Sequence, residues 1–265
     1  MAGDIVKVIM SDWSEEEGLI FKASEFVFEP PVVVSRARRV LIKPSAGYPV
    51  PYPVTTSRDI LSVIIAGIRR VSDADIILLE GTPGGGSVQP IYQALGYNFP
   101  RVLTLDVKDC IWVEVDNPLS KPLAVPTFWV PNVILSSDYL ITVAPLKVSQ
   151  GRGRLSLMNL LSLLPSSKYG GAAKGGWGDL YELGIENVVA DLYFTLPFDM
   201  GIIEARQKFT TQGDPTQGEV EECGKVFIGE PYQVDCEASE TLGLRTGHLD
   251  LIRTAKVEFE VNLYS

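Results

Sequence analysis

The chain has 265 residues, and its 33 acids outnumber its 23 lysines and arginines, giving a formal net charge of −10. That balance argues against broad nucleic-acid binding, because neutralising phosphates needs an excess of Lys and Arg. With 46% hydrophobic and 21% charged residues, the composition also excludes an intrinsically disordered chain.

No apolar run is long enough for a membrane span. The opening Met-Ala-Gly-Asp-Ile-Val-Lys lacks the basic region and apolar core of a signal peptide, so a cytoplasmic protein is expected. Cys110, Cys223 and Cys236 stand far apart, with no Cys-x-x-Cys pair. An iron–sulfur cluster or structural zinc built by this chain alone is therefore not expected. His248 is the one histidine, which excludes a histidine-based triad or a multi-histidine metal site by count. Proton transfer would fall to carboxylates, lysines, tyrosines or a cofactor.

In chain order, Ile5 to Met10 reads as a strand. Ser14-Glu-Glu-Glu17 reads as a capped helix start, with Pro30-Pro31 as its latest stop. Arg39 to Lys43 is a buried-type strand ending in a cation. Pro44 to Thr56 alternates proline with tyrosine and valine, which predicts a stiff, extended loop suited either to a site or to plain packing. Ser57 to Arg70 is a helix with Ile60, Val63, Ile64 and Ile68 on one face. Ile76 to Leu79 is a strand, and Gly81 to Ser87 a glycine loop leading into a helix near Ile91 to Leu95. That loop lacks both the P-loop and the dinucleotide fingerprint. Leu103 to Val107 and Ile111 to Val115 read as strands. Strands alternating with helices predict a mixed, mostly parallel α/β sheet with flanking helices.

The stretch from Asp138 to Pro165 carries the main functional signal. A strand, Tyr139 to Ala144, enters a loop holding Lys147, Arg152 and Arg154, and then a helix from Leu155 to Leu164. In α/β proteins ligands bind beyond the carboxyl ends of strands, and a helix start there offers unpaired N–H groups. Three cations at such a place, in an acidic chain, point to an anion; simple solvation of a surface loop is the competing reading. Ser156, Asn159 and Ser162 form a polar stripe on the helix, facing either ligand or water.

Ser166 to Gly178 is glycine-rich, either a lid carrying Lys168, Tyr169 and Lys174 or a linker. Gly184 to Thr195 is helical and Asp199 to Ala205 a strand. Thr210 to Gly218 is a polar turn-rich loop, Lys225 to Ile228 a strand, and Pro231 to Leu242 a helix carrying Asp235 and Glu237. Val257 to Tyr264 alternates apolar and polar residues, predicting a strand with one wet face.

Several of these pieces resemble a known family. Ile42-Lys-Pro-Ser45 resembles the Val-Lys-Pro-Asn signature of the family called "domain of unknown function 362". Ala144-Pro-Leu-Lys147 with Leu155-Ser-Leu-Met-Asn-Leu160 resembles its Pro-Lys-Leu-Lys-Thr-His and Ala-Leu-Lys-Asn elements. Ile202-Ile-Glu-Ala205, Gly213-Asp-Pro-Thr-Gln-Gly218 and Val234-Asp-Cys236 resemble later family pieces, in order, from about residue 38 to 245. The chain departs at Ser45 (family asparagine), at Val148 and Ser149 (family Thr-His), at Met158 (family lysine) and at Glu204 (family aspartate). The family is similar in fold to the nickel-pincer lactate racemase group, but no histidine here matches its nickel chemistry.

These readings converge on an α/β protein, one continuous domain or two lobes (1–165 and 166–265) with a cleft. The expected partner is a small anionic molecule, bound by a protein that is an enzyme or a plain binder. Lys43, Lys147, Arg152 and Arg154 are expected on the anion, with Ser45 and Asn159 orienting it. Glu204 and Asp235 are the candidates for acid/base work or for holding a divalent metal. The alternative is a non-catalytic partner or assembly factor for a separate iron–sulfur or redox protein, which the family's frequent cluster domains imply and which would need a broad exposed apolar patch. A fold retained for stability alone is a third reading.

Overall fold

The computed structural model describes residues 19–170 and 176–264. Its strands are β1 (Leu19–Lys22), β2 (Arg39–Pro44), β3 (Asp75–Glu80), β4 (Val102–Asp106), β5 (Trp112–Asp116), β6 (Thr127–Pro131), β7 (Tyr139–Ser149), β8 (Arg152–Arg154), β9 (Met200–Thr211) and β10 (Glu219–Gly229). The helices used below are α1 (Arg58–Val71), α2 (Gln89–Ala94), α3 (Gly178–Glu182), α4 (Ile185–Thr195), α5 (Pro231–Leu242) and α6 (Gly247–Tyr264).

Eight strands form one sheet in the order β1-β10-β9-β7-β2-β3-β4, with β8 paired to β7. Strands β4, β3, β2, β7 and β9 run parallel. β10 and β1 are added antiparallel at one side. This is the mixed, mostly parallel α/β sheet that the alternation of elements predicts. β5 does not join it; it pairs with β6 in a separate antiparallel ribbon. Strands from both sides of Pro165 share the large sheet.

Successive strand residues face opposite sides of a sheet, and both sides are covered. Val40, Ile42, Ile76 and Leu78 meet Ile60, Leu61, Ile64 and Ile68 of α1 on one face. Leu41, Leu79 and Leu140 pack on the other face with α4, the Leu157–Leu164 segment and the start of α6. Coverage on both sides explains why these strands are near-continuous apolar runs. Each fully buried Leu or Ile contributes about 1.5–3 kcal/mol. α1 starts where its sequence indicates: Ser57 Oγ accepts from Ile60 N at 3.1 Å, a cap worth about 1 kcal/mol.

Four expectations need correction. The segment after Ser14 does not run as helix to Pro30, because Leu19–Lys22 is a strand paired with β10. The expected strand Ile5 to Met10 and the helix start at Ser14 lie outside the described residues.

The expected loop from Pro145 to Arg154 is a hairpin. β7 continues to Ser149, and β8 returns at Arg152. The two residues between them, Gln150 and Gly151, both have positive φ (51° and 75°), the geometry of a tight twisted hairpin turn.

The expected helix from Leu155 is a 3-10 stretch, Met158–Leu163, ended by Pro165. Its entry is held by a carboxylate: Asp235 accepts from Ser156 N at 2.9 Å and Leu157 N at 3.1 Å.

The expected strand Val257 to Tyr264 is the end of α6. The period-three apolar residues Leu249, Ile252 and Ala255, all buried, commit the chain to a helix before the alternation begins. Among the described residues, no helix is long and apolar enough to cross a membrane.

Candidate functional site

The parallel strands β2, β3 and β7 run in the same direction, so their carboxyl ends share one rim of the sheet. β2 ends in Lys43 and Pro44, and β3 ends in Glu80. Lys43 is fully buried, and its Nζ donates to Glu80 Oε2 at 2.9 Å, to Asn159 Oδ1 at 3.0 Å and to the Pro44 carbonyl at 2.8 Å. Burial pulls the Lys43 pKa down, while the charge and hydrogen bond of Glu80 oppose that. Glu80 also accepts from Ala46 N at 2.7 Å, Gly81 N at 2.9 Å and Ser162 Oγ at 2.5 Å. Asn159 Nδ2 donates to the Lys43 carbonyl at 3.2 Å and to Thr142 Oγ1 at 3.1 Å, which ties β2 to β7. Gly81 is required here: a Cβ would lie 2.6 Å from the Ser162 carbonyl.

Above this network lies a cavity of about 360 Å³, with Ser45, Glu80, Lys147, Arg154, Asn159 and Ser162 on its polar side. Leu155, Met158, Leu161 and Trp177 form its apolar side, and Thr211 at the end of β9 and Gly213 and Pro215 in the loop after it also reach it. Lys147, half-buried, donates to the Val54 carbonyl at 2.9 Å and to Ser45 Oγ at 3.3 Å. Both partners are neutral. Burial, with the nearby charges of Lys43 and Arg154, lowers its pKa to about 8 against the pull of Glu80. Arg154 sits directly opposite Lys147 across the β7–β8 pair. It donates to Tyr181 Oη at 3.1 Å, and it has no carboxylate partner among the described residues. Like charges directly opposite in a sheet repel, so this pair raises the local potential toward the cavity.

The expected site residues therefore divide. Ser45, Lys147, Arg154 and Asn159 line one cavity, and Lys43 lies directly beneath it. Arg152 does not reach it. It points to Glu186, 3.1 Å away, and borders a separate open groove of about 790 Å³ beside Arg245 and Asp250. Glu204 lies at the start of α1, where Ser57 N donates to it at 2.9 Å and Arg206 pairs with it at 2.6 Å. Asp235 holds Ser156 and Leu157 beneath the 3-10 stretch. Neither carboxylate lines the cavity, and the two are not brought together. No group of three or more His, Cys, Asp or Glu side chains gathers in metal-binding geometry among the described residues.

The anion-binding helix start expected at Leu155 is filled by Asp235 itself. Lys168 and Tyr169 do not cover the cavity. Lys168 Nζ stands 4.1 Å over the Trp129 ring, and Tyr169 Oη accepts from Trp129 N at 2.7 Å. Lys174 lies outside the described residues.

Glu80 was missed by the sequence reading. The available signal was a lone acid ending a buried strand, next to a parallel strand that ends in a lysine. Tyr48, Tyr181 and Trp177 also line the cavity without a sequence signature. Of the polar stripe, Asn159 and Ser162 face the charged network, whereas Ser156 Oγ bonds Asp235 at 2.5 Å.

His248 is fully buried. Its Nδ1 lies 2.9 Å from Glu186 Oε2, and its Nε2 lies 3.5 Å from Asp235 Oδ2. Burial alone would lower its pKa, but the two carboxylates outweigh that and lift it to about 9. A histidine-held nickel group does not fit the cavity, because this sole histidine is enclosed elsewhere.

No curated protein matches the chain. Among solved structures it is similar to the lactate racemase apoprotein from Thermoanaerobacterium thermosaccharolyticum, at 12% identity and a TM-score of 0.49. The likeness covers 90% of this chain and 54% of that one, so the chain spans about half the length of that protein. The family profile described as "Domain of unknown function (DUF362)" matches residues 40–239, well over half of the sequence, and the chain belongs to that family.

Proposed function

We propose that the chain binds a small anionic molecule in the cavity at the carboxyl ends of β2, β3 and β7. Lys147 and Arg154 hold the negative group. Ser45 orients it, and Asn159 and the Lys43–Glu80 pair form a rigid floor. One observation carries this reading: two cations face each other across a hairpin with no carboxylate between them among the described residues, at the rim of a half-apolar cavity, in an acidic chain. An anion there would relieve their repulsion and would be met by donors already in place.

The alternative, a partner for an iron–sulfur or redox protein, calls for one broad apolar face. The exposed large apolar residues include the neighbouring pairs Leu19–Ile20 and Val32–Val33, and others stand on distant elements, such as Val71 at the end of α1 and Leu103 on the opposite edge strand.

Calorimetric titration with a panel of small carboxylates and inorganic phosphate tests the proposal. Binding by the native chain that is weakened in Lys147→Ala and in Arg154→Ala supports it. Unchanged binding in both variants, or no binding of any panel member, overturns it.

A further inference from the structure

Lys147 differs from the other lysines whose contacts are described. Lys43 pairs with Glu80, Lys22 with Glu25 and Lys208 with Glu221, while Lys168 and Lys256 lie over aromatic rings. Lys147 alone among these points an amine, held only by neutral oxygens, at the wall of a cavity. A lysine that is desolvated and set beside other cations is activated as a nucleophile, because its neutral form becomes accessible near physiological pH. A pKa near 8 is consistent with that environment.

From this geometry we infer that Lys147 is a covalent attachment point, whose amine condenses with the carbonyl of a 2-oxo carboxylate held through its carboxylate by Arg154. The inference rests on the anion reading above and names its substrate class. Directly opposed residues in an antiparallel pair have Cβ atoms about 4.5–5.5 Å apart. With both side chains rising from opposed positions on one face of the hairpin, a ligand that carries its carbonyl next to its carboxylate can meet both, and in a 2-oxo acid the two carbons are bonded. The remaining substituent would lie against Leu155, Met158, Leu161 and Trp177, which favours an apolar group.

In the reaction the neutral Nζ adds its lone pair to the carbonyl carbon. The carbonyl π pair passes to oxygen, which takes up a proton, giving a carbinolamine. The nitrogen sheds a proton, the hydroxyl takes one up and leaves as water while the nitrogen lone pair forms the carbon–nitrogen double bond, and the resulting iminium loses its N–H proton to give the imine. One amine and one ketone give one imine and one water, with no change in oxidation state.

The test is reductive trapping on the full chain. Pyruvate, 2-oxobutyrate and phenylpyruvate are each incubated with the protein and sodium borohydride, whose hydride reduces the imine to a stable secondary amine. Intact mass and peptide mapping then read the adduct. The expected result is one adduct per chain, mapped to Lys147, absent in Lys147→Arg and slowed at least tenfold in Arg154→Gln. Acetone, which lacks the carboxylate, should label no faster than surface lysines do. Circular dichroism checks that both variants fold.

Calorimetric titration with oxalate, which has no ketone, separates this inference from the anion reading. Oxalate binding without any trapped adduct overturns the imine and leaves the anion site standing. Absence of both overturns both. An adduct that maps elsewhere, or that persists in Lys147→Arg, also overturns the inference.

Discussion

Lys43 and Glu80 end neighbouring parallel strands with opposite charges, 2.9 Å apart and both essentially without solvent exposure. A pair buried this deeply is not by itself a strong stabiliser, because desolvating two ions offsets their attraction. Removing one partner is a different matter. Glu80→Ala would strand the Lys43 ammonium and orphan Ala46 N, Gly81 N and Ser162 Oγ. The expected loss is about 3–5 kcal/mol of unfolding free energy, read from urea denaturation. Replacing both residues by apolar ones, Lys43→Met with Glu80→Leu, should recover a large part of it. A loss below about 1 kcal/mol in Glu80→Ala would mean the network is solvated rather than buried.

The cavity makes a sharp division between neighbouring arginines. Lys147→Ala should weaken binding of an anion by about 2 kcal/mol or more, roughly thirtyfold. Arg154→Ala should weaken it by about tenfold, since Arg154 is only partly enclosed. Arg152→Ala should change it little, because Arg152 faces Glu186. Equal losses at Arg152 and Arg154 in calorimetric titration would show that the two hairpin arginines act together.

Binding should also depend on pH, with a definite sign. Lys147 has a pKa lowered from 10.5 to about 8, so its charge is present below pH 8 and lost above it. Reversible anion affinity should therefore fall as pH rises through about 8, and anion binding below that should take up protons as pH nears it. Titrations in buffers of different ionisation enthalpy measure that uptake.

His248 and Glu186 set a second pH dependence, this time on stability. The Glu186 carboxyl is lowered from 4.5 to about 2, first by its hydrogen bond to His248 and against its own burial. Its contribution is present above pH 4.5 and lost as pH falls toward 2. The His248 pKa is raised from 6.5 to about 9, so its contribution is present below pH 6.5 and lost as pH rises through 9. Stability from this pair should be greatest between about pH 4.5 and 6.5. The thermal midpoint of His248→Asn should lack the decline from pH 6.5 to 9; a variant that keeps the full decline would assign it to other groups.

Asp235 organises the entry to the 3-10 stretch that carries Asn159 and Ser162. Asp235→Asn would replace an acceptor oxygen by a donor facing N–H groups and would remove a charge from beside His248. The expected loss is about 2–4 kcal/mol. Anion affinity should fall as well, although Asp235 does not line the cavity. Hydrogen exchange at Ser156 and Leu157 amides checks that the loss begins there.

Much of the scaffold was legible in the residues. Apolar runs at 39–43, 76–79, 139–144 and 225–228 mark strands because both sheet faces are covered. Ser57 with Ile60, Ile64 and Ile68 marks α1 by cap and period. The failures share a cause. At 145–154 the concentration of cations reads as a loop, whereas the turn is made by two positive-φ residues, Gln150 and Gly151, of which Gln150 carries no turn signature. At 257–264 a local alternation was read without the helical period that precedes it.

The order of residues alone determined the α/β class, most strand and helix positions, and the concentration of cations between residues 147 and 154, because periodicity and turn chemistry act over a few neighbouring residues. Which cations line the cavity was decided only in three dimensions. The hairpin sets Arg154 opposite Lys147 at the cavity, whereas Arg152, two residues nearer the turn, pairs with Glu186. Parallel pairing brings Glu80, 37 residues away in sequence, onto Lys43. The burial of that pair and the neutral surroundings of Lys147 are consequences of packing between distant segments, which no local pattern encodes.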